Sequence, residues 1–124
     1  MFNILVVDDA KMIRRMLTME LEKMGHYVVA EAETGREAIH LYEKHSPDIV
    51  TMDITMPGLN GVETLKEIKK IDKTATIIMI TSHGEEKLVM EAIVAGAKGY
   101  ILKPLSKNKL IDAILRACPE AYGL

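Results

Sequence analysis

The chain has 124 residues, of which 48% are hydrophobic and 27% are charged, and its formal net charge is −2. This balance is typical of one ordinary globular domain and excludes a disordered or fibrous chain. Because 16 basic residues are scattered among 18 acidic ones, the charge pattern also argues against direct binding to nucleic acid or to an anionic membrane.

The N-terminal and cysteine features indicate a cytoplasmic location. The apolar run at the N-terminus is too short for a signal peptide and lacks a basic flank, and no stretch is long enough to cross a membrane. The single cysteine, Cys118, excludes an internal disulfide, and we expect it to pack as a small apolar residue. We expect one domain over residues 1–124, with no output domain.

Short apolar runs alternate along the chain with segments whose apolar residues have helical spacing. The runs predict five strands, at residues 4–7, 27–30, 49–52, 77–80 and 100–102. The other segments predict five helices, through Ile13, Leu17, Leu21 and Met24; Ala38, Leu41 and Tyr42; Leu65 and Ile68; Val89, Ala92 and Ile93; and Leu110, Ile111, Ile114 and Leu115. Several strands are uniformly apolar, which is typical of strands covered on both faces. The sequence therefore predicts a (βα)5 α/β fold, with a parallel sheet between two helical layers.

The predicted helices have recognisable start and stop signals. Two pairs of residues have capping-box spacing and each opens a helix: Thr34 with Glu37, and Asn60 with Glu63. Gly25 and Gly96 follow the last apolar residues of two helices, as glycines after helix C-termini do. Pro47 ends the second helix at Ser46, because a residue before proline is disfavoured in the helical region.

Polar side chains cluster where four of the strands end. They are Asp8, Asp9, Asp53, Thr81, Ser82 and Lys103. In an open parallel sheet, ligands bind beyond the carboxyl ends of the strands, so we expect these side chains to share one crevice. The second strand offers only Glu31 and Glu33, which we expect to be solvated.

The predicted crevice carries more negative than positive charge. Two unit charges about 4 Å apart repel by about 4 kcal/mol at an effective dielectric near 20, and Lys103 is one cation against three carboxylates. The deficit suits Mg²⁺, which takes oxygen ligands and bridges carboxylates to a phosphoryl oxygen. A carboxylate nucleophile, a metal, a lysine and a hydroxyl together indicate phosphoryl transfer.

Four segments resemble the receiver domain of two-component response regulators, in particular the single-domain chemotaxis-type regulators. They are residues 4–9, 53–61, 81–82 and 96–104, and the resemblance extends from Ile4 to about Cys118. It implies a doubly wound, flavodoxin-like sheet with the strand order 2-1-3-4-5. It also implies a signalling switch that takes a phosphoryl group from a histidine kinase or phosphotransfer protein. Such a switch catalyses only its own phosphorylation and dephosphorylation, and is not an enzyme in the metabolic sense.

The resemblance also implies roles for the acids and the lysine. Asp53 would be the phospho-acceptor, and Lys103 would pair with it and then with the phosphoryl group. Mg²⁺ would be held by Asp9, Asp53 and the main-chain carbonyl of Thr55, with Asp8 acting mainly through metal-bound water.

The remaining roles concern the response to phosphorylation. Thr81 would be the hydroxyl that moves to a phosphoryl oxygen, Tyr100 the aromatic that turns inward behind it, and Ser82 the small residue that leaves room for the phosphoryl oxygens. A target protein would bind the face made by helix four, strand five and helix five. The peptide bond between Lys103 and Pro104 would be cis, as is usual in the family.

Two other functions use a similar fold or similar residues. An aspartate-nucleophile phosphohydrolase generally has a second acid two residues after its nucleophile, where this chain has Thr55. A flavin-binding module would need a phosphate-binding loop after the first strand, where Asp8 and Asp9 place negative charge instead.

The sequence also predicts which of several other residues are packed and which are exposed. We expect Met12, Met16 and Met19 to be packing residues, and the alternative is that they line a groove for a partner protein. We expect His83 to lie at the rim of the site, where it and Thr55 would influence the lifetime of the phospho-adduct. We expect Lys11, Arg14 and Arg15 to form a solvated helix face, and His26, His40 and His45 to lie on the surface. Helix four carries apolar residues around much of its circumference, so it is either thickly covered or exposes an apolar strip; these residues are Leu88, Val89, Met90, Ile93 and Val94.

Overall fold

A computed structural model describes residues 1–122, in which five strands and five α-helices alternate. The strands are β1 (Asn3–Val7), β2 (Tyr27–Ala32), β3 (Ile49–Asp53), β4 (Ile77–Thr81) and β5 (Gly99–Leu102). The helices are α1 (Lys11–Lys23), α2 (Gly35–His45), α3 (Gly61–Ile71), α4 (Glu86–Val94) and α5 (Lys107–Ala117), followed by a short 3₁₀ turn at Pro119–Tyr122. Each predicted element is present, and β2 is two residues longer than predicted. None of the helices described is long and apolar enough to span a lipid bilayer.

The five strands form one parallel sheet in the order β2-β1-β3-β4-β5, as predicted. The chain moves outward from β1 in one direction to β2 and then in the other direction through β3, β4 and β5. The strand order therefore reverses between β1 and β3, which is where doubly wound sheets open a ligand crevice. Val7 is the register partner of Met52, so the residues that follow them, Asp8 and Asp53, are brought to the same place.

Alternate side chains of each strand enter two separate cores. Leu5 and Val7 belong to the core that is covered by α2, α3 and α4, whereas Ile4 and Val6 belong to the core covered by α1 and α5. This period-two alternation of apolar residues on both faces explains the uniformly apolar strands. The predicted two helical layers are confirmed.

The prediction that the methionines of α1 are packing residues is wrong. Leu17 and Leu21 are buried against the sheet, but Met12, Met16 and Met19 are exposed. Both sets of residues have helical spacing, so the pattern alone did not decide which stripe faces the core. Leu17 and Leu21 belong to the second core together with Ile4 and Val6 of β1, and the three methionines are left at the surface.

Three polar residues that were predicted to be solvated are packed. His26 is buried, accepts a hydrogen bond from the Phe2 main-chain N–H at 3.1 Å and stacks on the Phe2 ring. Arg14 and Glu31 form an ion pair at 3.3 Å between α1 and β2, and Thr18 also donates to Glu31. Arg14 and Glu31 thus pair across two neighbouring elements, and sequence spacing does not reveal such a pair. Lys11, Arg15, Glu33, His40 and His45 are exposed, as predicted.

Of the two predicted capping boxes, one makes both of its hydrogen bonds and the other makes only one. Asn60 and Glu63 exchange both side-chain to main-chain hydrogen bonds at the start of α3. At α2, the Thr34 hydroxyl accepts from the Glu37 N–H. The Glu37 carboxylate, however, accepts from the Glu33 N–H instead of returning to Thr34.

The helix ends agree with the sequence signals. Ser46 adopts a left-handed conformation with φ 43° and ends α2 before Pro47. Gly25 and Gly96 have φ 93° and 112° and follow the ends of α1 and α4. Positive φ is available to glycine at little cost, so both residues act as predicted.

Candidate metal and phosphoryl site

Asp53 is the last residue of β3, and its main chain is held on several sides. The neighbouring Ile54 N–H donates to the Ile80 carbonyl of β4, and the Gly61 N–H donates to the Ile54 carbonyl at 2.7 Å. A side chain at Gly61 would collide with the Asp53 carbonyl oxygen, so only glycine lets α3 begin this close to the strand. Asp53 is 5% exposed, and its carboxylate lies near those of Asp8 and Asp9.

Asp8 and Asp9 bring two more carboxylates to the same crevice. One carboxylate oxygen from each of Asp8, Asp9 and Asp53 lies within 4.8 Å of the other two. Asp8 is fully buried: its Oδ1 accepts from the Ala10 N–H at 2.9 Å, and its carbonyl accepts from Arg14 at 2.8 Å. Asp9 is exposed.

Lys103 lies directly after β5, and among the residues described it is the cation that pairs with the carboxylate oxygens of Asp8 and Asp53. Its Nζ is 3.5 Å from Asp53 Oδ1 and 3.7 Å from Asp8 Oδ2. Its main-chain N–H donates to the Thr81 carbonyl at 2.8 Å, which holds the lysine beside the end of β4. The Lys103–Pro104 bond is cis, as predicted.

The acid cluster fits a divalent cation. Asp8 Oδ2 is buried and has no hydrogen-bond partner in the described part of the chain, because Lys103 lies beyond hydrogen-bonding distance from it. Burial raises the pKa of Asp53 to about 7, with Asp8 adding to the rise and Lys103 opposing it. Burial also raises the pKa of Asp8. A set of carboxylate oxygens that is short of positive charge, with one acceptor unused, is a donor set that Mg²⁺ prefers.

In metal-free solution, we expect Asp53→Asn to be more stable than the wild type at high pH. The pKa of Asp53 is raised from 3.8 to about 7 in the folded protein, so protonation stabilises the fold at low pH and this stabilisation is lost as the pH rises towards 7. Asparagine does not titrate. The difference in free energy of unfolding should therefore grow between about pH 4 and pH 7 and level off on the order of 4 kcal/mol. Urea unfolding with a chelator at about pH 5 and about pH 8 measures it, and a difference that does not change with pH would contradict the raised pKa.

Thr81 and Ser82 lie at the end of β4 and meet a residue that the sequence analysis missed, Glu85. The buried Thr81 hydroxyl donates to Glu85 Oε1 at 3.0 Å, and the Ser82 N–H donates to the same oxygen at 2.6 Å. The Thr55 hydroxyl donates to Glu85 Oε2. The signal available in the sequence was an acid four residues after the strand-terminal threonine, with Gly84 between them to turn the chain.

The electrostatics of Glu85 follow from these contacts. Burial pushes the pKa of Glu85 upward, but the hydrogen bonds from Thr55, Ser82 and Thr81 outweigh burial and hold the pKa below its usual value. Lys103 adds a smaller attraction in the same direction. Glu85 is therefore a carboxylate whose charged form is stabilised next to the acid cluster.

Tyr100 lies on β5 at the surface, with 56% of the residue exposed. It lines a groove of about 390 Å³ between α4 and β5, together with Thr81, Val89 and Ile93. Helix α4 exposes Met90, Ile93 and Val94 beside this groove. Of the two interpretations of this helix, the exposed apolar strip is therefore correct.

The structure brings most of the predicted site residues together. Asp8, Asp9, Asp53 and Lys103 share the crevice, and Thr81 and Ser82 lie at the end of the strand next to Asp53. Tyr100 lines the same groove as Thr81. His83 is exposed at the rim, as predicted.

Comparisons with known proteins agree with this geometry. A family model described as the response regulator receiver domain matches residues 4–115. The chemotaxis protein CheY of Bacillus subtilis is 51% identical over 112 residues, which cover 90% of this chain and 93% of that protein. CheY of Thermotoga maritima is 48% identical over 112 residues, with the same coverage.

A solved structure is also similar. The CheX–CheY–BeF3–Mg²⁺ complex from Borrelia burgdorferi contains a chain that matches with a TM-score of 0.88 at 39% identity, covering 92% of this chain and 87% of that one. Neither the phosphohydrolase nor the flavin-binding alternative is supported by these similarities. With the predicted strand order, three clustered acids and a family match over most of its length, the chain belongs to the response regulator receiver domains of two-component systems, and within them it is CheY-like.

Proposed function

We propose that Asp53 accepts a phosphoryl group from a histidine kinase or a phosphotransfer protein. The observation that carries this proposal is a buried carboxylate that faces Lys103 at 3.5 Å and two further acids within 4.8 Å. An Asp53 oxygen bonds to phosphorus while the bond from phosphorus to the donor's histidine nitrogen breaks, and the imidazole leaves. Charge neutralisation and positioning are the main requirements of such a transfer.

The proposal includes a magnesium site. Asp9, Asp53 and the main-chain carbonyl of Thr55 would hold the ion, and Asp8 would contribute mainly through metal-bound water. When bound, Mg²⁺ neutralises charge on the carboxylates and on the incoming phosphoryl oxygens. Support comes from the unused Asp8 Oδ2 acceptor and from the similar CheY structure, which was solved with BeF3 and Mg²⁺.

The protein's own groups then hold the phosphoryl oxygens. Lys103 exchanges its pairing with Asp53 for a pairing with the phosphoryl group, and Ser82 leaves space because its side chain is small. The chemistry of the protein is limited to its own phosphorylation and dephosphorylation. We propose that this receiver domain acts in the cytoplasm and passes its signal to a protein, without direct contact with nucleic acid.

Thr81 and Tyr100 form the proposed switch. A phosphoryl group adds a charge of about −2 and several acceptor oxygens, and a hydroxyl in reach gains a charge-assisted hydrogen bond of about 1.5–3 kcal/mol. That energy shifts a two-state equilibrium by roughly ten- to a hundredfold. Movement of Thr81 inward opens space at the end of the groove, which the exposed ring of Tyr100 fills. The target then binds the face of α4, β5 and α5, where Met90, Ile93 and Val94 are exposed.

Amide chemical shifts with and without beryllofluoride test the switch. In the wild type we expect large changes near Asp53, in α4 and at Tyr100. In Thr81→Ala, the changes near Asp53 should remain and those at Tyr100 should be lost, because the coupling hydroxyl is absent. Changes confined to residues 1–50, with α4 and Tyr100 unaffected, would contradict the proposal.

A further inference from the structure

Glu85 binds the Thr81 hydroxyl, which the proposed switch needs, and two neighbouring donors. Its carboxylate accepts hydrogen bonds from the Thr81 hydroxyl at 3.0 Å and from the Ser82 N–H at 2.6 Å, and it also accepts from the Thr55 hydroxyl. Thr81 and Ser82 lie at the end of β4, the strand beside Asp53, and Thr55 follows Asp53 by two residues. The Glu85 carboxylate is thus a negatively charged acceptor for the hydroxyl that the proposed switch directs to a phosphoryl oxygen.

The backbone shows that this contact is not an ordinary helix cap. Glu85 precedes α4 as its N-cap residue, yet its side chain makes no capping hydrogen bond to the helix. It turns back to the end of β4 instead. The Gly84 N–H donates to the side chain of Glu86 at 2.8 Å. The two consecutive acids, Glu85 and Glu86, therefore accept from different donors.

Glu85 and a phosphoryl group cannot use these donors at the same time. A hydroxyl and a main-chain amide each have one proton to donate, so the Thr81 hydroxyl and the Ser82 N–H must release the carboxylate before they can turn to a phosphoryl oxygen. The carboxylate and a phosphoryl group also repel each other as like charges.

We propose that Glu85 is an internal competitor of the phosphoryl group, a positioning residue that holds Thr81 and Ser82 in the resting arrangement and is displaced on activation. This inference rests on the proposed function of Asp53 and Thr81. It adds a residue that sets how readily the switch responds, since the energy of the Glu85 contacts is subtracted from the energy that phosphorylation supplies.

Replacement of Glu85 by glutamine tests the proposal in the full chain. We expect Glu85→Gln to bind beryllofluoride roughly tenfold more tightly at saturating Mg²⁺, which corresponds to about 1.4 kcal/mol, because the amide is a weaker competitor than the carboxylate. The affinity is measured by titration, from the amide shifts around Asp53. Glu86→Gln is the matched control: it removes the same charge one residue away and should change the affinity by less than about twofold.

A second measurement examines the contact without phosphoryl chemistry. In the resting wild-type protein, the Ser82 amide proton should resonate far downfield because of its short bond to a carboxylate, and it should move upfield in Glu85→Gln but not in Glu86→Gln. Equal beryllofluoride affinity in wild type and Glu85→Gln, or an unchanged Ser82 shift, would overturn the proposal. Failure of the wild type itself to bind beryllofluoride would instead overturn the proposed function.

Discussion

Asp53→Asn is expected to lower phosphorylation by acetyl phosphate at least about a thousandfold, the scale of loss that follows removal of a nucleophile. The asparagine amide keeps the shape of the side chain but has no carboxylate oxygen to attack phosphorus. Wild-type protein incubated with acetyl phosphate and Mg²⁺ should gain one phosphoryl group, and peptide mapping by mass spectrometry should place it on Asp53.

The control for this experiment is Asp48→Asn. Asp48 is exposed and accepts a hydrogen bond from the Asn3 N–H, which asparagine can replace, and it lies outside the site, so the adduct should form at the wild-type rate. An undiminished adduct in Asp53→Asn would contradict the assignment of the acceptor. Rapid release of free phosphate from many donor molecules, with no adduct, would indicate a phosphohydrolase instead.

Asp9→Ala is expected to weaken Mg²⁺ binding by about a hundredfold or more, because it removes a proposed direct oxygen ligand. Asp8→Asn should cost less, since Asp8 is proposed to act mainly through water and keeps an acceptor oxygen as asparagine. Calorimetric titration of metal-free protein gives both affinities.

The same variant has a second expected effect, on stability. Removal of one of three clustered carboxylates relieves repulsion, so metal-free Asp9→Ala should melt at a higher temperature than metal-free wild type. Equal Mg²⁺ affinity in Asp9→Ala and wild type would exclude the proposed site. A lower melting temperature would contradict the repulsion argument alone.

Features that depend on chain order and short-range pattern were predictable from the sequence. The apolar runs predicted the strands. The strand ends predicted that Asp8, Asp53 and Lys103 lie together at the carboxyl ends of a parallel sheet, which is where the structure has them. The strand order came from the resemblance, since periodicity does not define which strands are neighbours. Asn60 and Glu63 were recognisable because a capping box is a local arrangement of four residues.

Features that depend on three-dimensional packing were not predictable in this way. On α1, the Met12 and Leu17 stripes both have helical spacing, and only the packing of the whole helix against the sheet chooses between them. Glu85 was missed because its carboxylate turns back against the chain direction, which depends on the backbone of the turn after β4. Arg14 of α1 pairs with Glu31 of β2, a contact between two elements whose relative position the residue pattern does not give.

The position of Asp53 in the sheet has a mechanical consequence. Strand β3 has a neighbour on each side, all five of its residues are buried, and α3 begins against its end without room for a side chain at Gly61. Strand β5 has one neighbour, and Tyr100 on it faces solvent. Segments with few buried contacts yield first when a protein is perturbed. We therefore expect a displacement that starts at Asp53 to be small in β3 and larger in the edge strand β5, where Tyr100 lies.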